Sequence, residues 1–130
     1  MLPSKWKSFA LADTEREYLA LLSYLPLKRY RSIFGFLKYT SQIERQLRAA
    51  RGLLGYSLQA QLLSRKFWTL SVWEDEAALM EFVYRLPHSE VMTSLAPHMA
   101  QTKFTRWTIK GYGMPPRWDE AKKRMSEGGL

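Results

Sequence analysis

The residues of this chain that could move a proton or hold a charge in a pocket are few. Both histidines, His88 and His98, fall in the stretch from Lys66 to Met99. A histidine titrates near neutral pH, so each is a candidate general base or acid. Arg106 is a candidate holder of an anion or a developing enolate. Trp73, Phe67, Tyr24 and Tyr56 are candidate aromatic walls, and Ser71 adds a hydroxyl beside them. Each has a plain structural alternative: His88, next to Pro87, can simply start a helix, His98 beside Pro97 can sit in a surface loop, and Trp73 can be a core ring.

Other chemistries find less support. Two histidines ten residues apart with a proline between them do not make the i, i+4 metal-ligand pair, and no metal site is expected. The chain has no cysteine, which removes disulfides, thiolate nucleophiles and cysteine-ligated metals and fits a cytoplasmic location. There is no Gly-rich phosphate loop and no Gly-x-Ser-x-Gly elbow.

These candidates need elements to carry them. Phe67 to Trp73 alternates and is rich in aromatic and β-branched residues, which predicts a strand. Trp68, Leu70 and Val72 form one face; Phe67, Thr69, Ser71 and Trp73 form the other. Asp75 offers an N-cap to a helix over 75–86, with Ala78, Leu79, Phe82, Val83 and Leu86 at helical spacing and Pro87 as its stop. A second helical piece follows from about Ser89 to Ala96. Upstream, Glu17 to Leu25 reads as a strand, with Leu19, Leu21 and Leu25 on one face and Tyr18, Ala20, Leu22 and Tyr24 on the other. Ser32 is a plausible N-cap for a helix that runs toward a stop at Gly52, with Ile33, Phe36, Ile43 and Leu47 in its apolar stripe. Leu54 to Leu62 is a strand whose short link to Phe67 implies an antiparallel hairpin. Lys103 to Ile109 is a fourth strand, and 115–125 holds a short tail helix. Residues 1–15 read as an arm docked through Trp6 and Phe9, and Ser126 to Leu130 should fray.

With 130 residues, 46% hydrophobic and 14% aromatic, the chain reads as one domain with a real core, spanning 1–130 with its centre at about 17–111. No apolar run is long enough to cross a membrane, and no signal peptide is evident. The net charge of +8, from 20 Lys and Arg against 12 Asp and Glu, favours anionic partners, although solvated helix faces account for most of it. The order strand, helix, strand, strand, helix, strand is the ferredoxin-like split βαβ of the α+β class: a four-stranded antiparallel sheet with helices on one face. That order leaves the other sheet face bare. Ser57, Gln59, Phe67, Thr69, Ser71 and Trp73 are assigned to it, and a second copy of the chain, closing sheet on sheet as a dimeric α/β barrel, is its simplest cover.

The stretches GLLGYSLQAQLLSRKFWTLSVWEDEAALMEFVYRLPH, RWTIKG and PPRWDEA carry a resemblance. The chain resembles the dimeric α/β-barrel superfamily, in particular its antibiotic-biosynthesis monooxygenase-like and spheroidene monooxygenase-like branches. The shared pattern covers roughly 17–111, and PPRWDEA is more particular to the branch. The resemblance implies a monooxygenase-like oxidoreductase acting on a small aromatic or apolar molecule, cofactor-free or haem-linked, with His88 as proton carrier or axial ligand. The alternative is a non-catalytic protein that binds haem or a small apolar ligand. In haem-degrading relatives a Trp ends the third strand, which Trp73 matches, and an Asn lies on the first strand; this chain has no asparagine. A ferredoxin-like sheet can also bind RNA, but the third strand lacks the RNA-recognition signature, so nucleic acid is not expected. No membrane partner is expected either.

Overall fold

A computed structural model describes residues 5–85 and 88–128. Its strands are β1 (Lys7–Ser8), β2 (Glu17–Pro26), β3 (Leu53–Gln61), β4 (Lys66–Trp73) and β5 (Lys103–Lys110). Its helices are α1 (Ile33–Arg48), α2 (Glu76–Tyr84), α3 (His88–Leu95) and α4 (Trp118–Gly128). The sheet is antiparallel throughout, in the order β1-β3-β4-β2-β5. Without the two-residue edge strand β1, this is the expected ferredoxin-like order, and the fifth strand is the arm's own addition.

Local chemistry explains most element ends. The Asp75 carboxylate accepts from the Ala78 amide at 2.8 Å and starts α2 as an N-cap should. Ser32 does not cap α1: it lies in a 3-10 turn, Tyr30–Ser32, already in helical conformation, and its side chain makes no cap bond. Gly52 has φ +81°; it turns the chain into β3 rather than ending α1, which stops at Arg48. Leu86 and Pro87, the expected end of α2 and its stop, lie outside the described residues, as do Gly129 and Leu130 of the tail. The tail helix reaches Gly128, further than the expected fraying point.

The faces of the sheet differ from the expectation. Phe67 packs on Phe36, Val91 and Leu95, and Trp73 packs on Leu47, Leu79 and Phe82. The face with Phe67, Thr69, Ser71 and Trp73 is therefore the one that α1, α2 and α3 cover, not an open one. Ser57 and Gln59 do not share it. They pair with Leu70 and Trp68 and so point to the opposite side. A bulge at Leu53/Gly55 shifts the pairing, which puts Leu54 on that opposite side with Tyr18, Ala20 and Val72.

That second face is not bare either. α4 lies across it, with Ala121 fully buried against Leu22 and Leu70, and Trp6, Trp118 and Met125 around them. The Trp118 indole donates to the Ser57 hydroxyl at 3.2 Å. Gly55 makes room for the arm: a Cβ there would lie 2.5 Å from the Trp6 indole nitrogen. The two helices of the split βαβ share one face as expected, while the tail helix and the arm take the place that a second copy was expected to fill. Charge reversal at Ser71 would therefore strike the chain's own core, not an interface. Gly55→Leu is expected to push the arm off β3. Faster proteolysis within 5–16, with the remaining core intact, is the check.

Candidate functional site

Between the helix layer and the sheet lies a cavity of about 890 Å³, within the range of small-molecule sites. Register sets its floor. Tyr56, Ser71, Leu21 and Arg106 form one row across four strands, and Leu58, Thr69, Ser23 and Phe104 form the next. α1 supplies Phe36, Tyr39 and Ile43 to the roof, and α2 and α3 add Leu79, Phe82, Val83, His88 and Met92. The walls are mostly apolar, with hydroxyls on the floor. A second depression, about 500 Å³ between α1 and α2, has Arg45, Gln46, Arg51, Glu81, Phe82 and Arg85 in its lining, and none of the residues singled out in the sequence as candidates reaches it.

His88 enters the cavity at the start of α3. Its ring meets Phe82 at 4.9 Å between centroids, and Phe82 meets Trp73 at 5.1 Å. Phe82 thus bridges the two residues that the sequence singled out. Nδ1 of His88 lies 3.1 Å from the Val83 carbonyl oxygen. A carbonyl can only accept, so Nδ1 carries a proton and the neutral ring keeps its lone pair on Nε2. Burial lowers the His88 pKa below the ordinary histidine value; the Val83 bond opposes this and does not overcome it. The imidazole is therefore neutral at pH 7, as a base must be.

Gln46, on α1, fixes the segment. Its Oε1 accepts from the His88 amide at 2.9 Å, and its Nε2 donates to the carbonyls of Phe82 at 3.1 Å and Arg85 at 3.4 Å. Sequence reasoning missed Gln46, because a glutamine on a helix carries no signature of its own. Phe82 was visible as part of the α2 stripe, but not as a member of the site.

Trp73 and Ser71 are also joined, with the indole N–H donating to the Ser71 hydroxyl at 2.9 Å. The Ser71 hydroxyl proton stays available for another acceptor. The Tyr56 hydroxyl is buried near the Lys7 ammonium and the Glu44 carboxylate. Burial first, and then the Glu44 carboxylate, raise its pKa above the ordinary tyrosine value, while Lys7 opposes them. Tyr56 thus remains a protonated donor.

Three candidates fall elsewhere. Tyr24 lies on the opposite face of the sheet and stacks on Trp68 at 5.3 Å; β2 alternates, and Tyr24 shares parity with Leu22, not with the cavity residues Leu21 and Ser23. Phe67 is a core ring packed 4.3 Å from Phe36; it lies behind the cavity wall formed by Phe36, Val91 and Leu95 and does not itself line the cavity. His98 ends a 3-10 turn at the surface, where its carbonyl accepts from the Lys28 amide. Arg106 reaches the cavity rim, but its guanidinium pairs with Glu76 at 3.3 Å, so its charge is largely offset. Among the described residues no group of three His, Cys, Asp or Glu side chains could hold a metal ion.

The sign of the His88 shift gives a pH prediction. The folded pKa is lowered, so below the unfolded value near 6.5 the unfolded chain binds more protons than the folded one. Stability is full above that pH and declines as pH falls through it toward the lower folded pKa. Thermal unfolding followed from pH 8 to pH 5 should show this decline, and His88→Gln should flatten it.

With the fold and cavity described, comparison with known proteins adds the family. A family model described as a domain of unknown function, DUF3291, matches residues 36–127. The chain belongs to the DUF3291 family. No curated protein sequence matches it. Several solved structures share the DUF3291 chain's fold. A conserved protein from Methanosarcina mazei superposes with a TM-score of 0.62 at 13% identity, over 69% of this chain and 90% of its own. SnoaB, a cofactor-independent oxygenase from Streptomyces nogalater, gives 0.57 at 10% identity, over 77% and 98%. A provisionally named monooxygenase from Fusobacterium nucleatum gives 0.66 at 13% identity, over 83% of this chain. The chain spans about half that protein's length, 48%. The fold is therefore that of the antibiotic-biosynthesis monooxygenase-like, ferredoxin-fold proteins, as the sequence pattern implied. Among the described residues no helix is long and apolar enough to cross a membrane.

Proposed function

We propose that this DUF3291 protein is a monooxygenase-like oxidoreductase that takes a small aromatic or apolar molecule into the cavity beneath α1, α2 and α3. The observation that carries this reading is the placement of the His88 ring in the wall of a mostly apolar cavity, with Nδ1 3.1 Å from the Val83 carbonyl oxygen and the ring against Phe82. His88 would remove a proton from the bound molecule. The resulting carbanion, at a CH2 group activated by its aromatic neighbours, would pass electrons to dioxygen and form a C–O bond. The peroxide would take back the proton held by His88, and loss of the carbon's second hydrogen with cleavage of the O–O bond would leave a carbonyl in the product and release water. The hydroxyls of Tyr56 and Ser71, neighbours across β3 and β4, would donate to the oxygen on which charge develops. The fold of SnoaB supports the class of reaction, which needs no cofactor.

Haem fits this cavity poorly. Nε2 of His88 could serve as an axial ligand, but the charged walls are Arg106 with two carboxylates, Glu44 and Glu76, and Arg106 is paired with Glu76. That balance disfavours a macrocycle carrying two negative groups and favours a neutral molecule. The test is His88→Ala, assayed by oxygen uptake and by tryptophan fluorescence titration against a panel of small aromatic molecules. Binding within a few-fold of the parent with turnover down about 10²–10⁴-fold is the expected result. Binding without turnover in the parent protein would instead make it a carrier. A Soret band with added haem that is lost in His88→Ala would bring haem back.

A further inference from the structure

The outer surface formed by the start of α1 and the β3–β4 turn has no part in the cavity, and its composition is unusual. From residue 18 to residue 73 the sequence holds one acidic residue, Glu44, against nine Lys and Arg. That single carboxylate pairs with Lys7, 3.5 Å away. The cations are not used by the fold: Lys28, Arg29, Arg31 and Lys38 are exposed and form no ion pair among the described residues.

Large apolar side chains stand among these cations. Phe34 is 83% exposed, Leu63 89% and Tyr30 55%. They belong together in space. The Tyr30 hydroxyl donates to the Leu63 carbonyl, the Arg65 guanidinium lies 4.5 Å over the Tyr30 ring, and Phe34 follows Tyr30 by one helical turn. The inner face of α1, with Phe36 and Leu47, already serves the core. Nothing in the packing requires the outer face to be apolar, so this patch calls for a partner.

We infer that this face is a docking surface for an anionic lipid membrane, with Phe34 and Leu63 entering the headgroup boundary and Lys28, Arg29, Arg31 and Lys38 meeting lipid phosphates and carboxylates. Charge complementarity selects this occupant. A second copy meeting the same patch would bring like charges together without acids to offset them. A nucleic acid would match the cations and could stack on Tyr30 and Phe34, but Leu63, 89% exposed, offers it no ring to stack on. Basic residues around exposed Phe and Leu are the composition of interfacial helices, and the Tyr30 ring suits the headgroup level. The expectation of no membrane partner rests on the missing apolar span, and a surface contact needs none.

The test is co-sedimentation of the full chain with vesicles of phosphatidylcholine alone and of phosphatidylcholine with phosphatidylserine. The expected result is binding to the anionic vesicles only, released by raised salt. Arg29→Gln with Arg31→Gln should weaken that binding roughly tenfold or more, and Phe34→Ser with Leu63→Ser by a similar factor, with circular dichroism unchanged. The inference is overturned if neither vesicle binds, if both bind equally, if a mixed-sequence oligonucleotide is retained in place of vesicles, or if the patch proves to hold two copies together in a dimer that Phe34→Ser dissociates. The lipid and salt dependence of the unaltered protein decides the matter even if a variant is unstable.

Discussion

Ending the chain after Pro116 is expected to abolish cooperative folding. Without α4 the sheet face carrying Leu22 and Leu70, both fully buried, would stand open to water, and the Ser57 hydroxyl would lose its indole donor. Each fully buried leucine contributes about 1.5–3 kcal/mol, and Trp68 and Trp107 lose cover as well. The sum is comparable to the whole stability of a domain this size, about 5–15 kcal/mol. The truncated chain should be recovered aggregated, or as a species with a broad, non-cooperative thermal transition. Ala121→Glu should act in the same direction by burying an unpaired charge. A truncated protein with a sharp transition near that of the full chain would mean that α4 is an accessory and that the face has another cover.

Trp73→Ala carries the second large effect. The indole is 1% exposed; it packs on Phe82 and donates to Ser71. Removing a buried ring of this size costs about 3–5 kcal/mol, and here it would also join new empty space to the cavity. Urea unfolding should show the loss as a lower midpoint with little change in slope. Trp73→Phe keeps most of the volume but not the donor, and should cost about 1 kcal/mol from the hydrogen bond. If Trp73→Ala cost under about 1 kcal/mol, the ring would be an adaptable wall and not part of the core.

The elements were legible because their periods are clean. The Phe67–Trp73 alternation, the α1 and α2 stripes and the Asp75 cap all appear in the structure within a residue or two of their expected places. Which face of each strand meets which layer was not legible. Alternation separates two faces without saying which is inner, and here both faces of β4 are buried within one chain, which removes the usual charged marker of solvent. Register settles it, and the bulge at Leu53/Gly55 changes register for a reason that no residue type announces. Tyr24 went to the wrong side through this symmetry. Ser57 and Gln59 were grouped with Phe67 for the same reason. His88, Trp73, Ser71, Tyr56 and Arg106 do line one cavity, but it lies on the helical side of the sheet, and its opposite side is filled by Trp6 and α4. The tail helix was visible as a helix, yet its docking depended on Trp118 finding Ser57 across sixty residues of chain, a contact that local pattern cannot encode.

The bonds of Gln46 bear on how fast the cavity can open. One side chain on α1 holds two carbonyls at the end of α2 and the first amide of α3, so these groups cannot part from α1 one at a time without leaving the amide head half satisfied. Opening at this joint should therefore be concerted, a single step with one barrier instead of progressive fraying. In hydrogen exchange the amide of His88, although it begins a short helix, should be slow to exchange. Gln46→Ala should release it, and with it speed the entry and exit of any occupant while leaving the walls that contact that occupant unchanged.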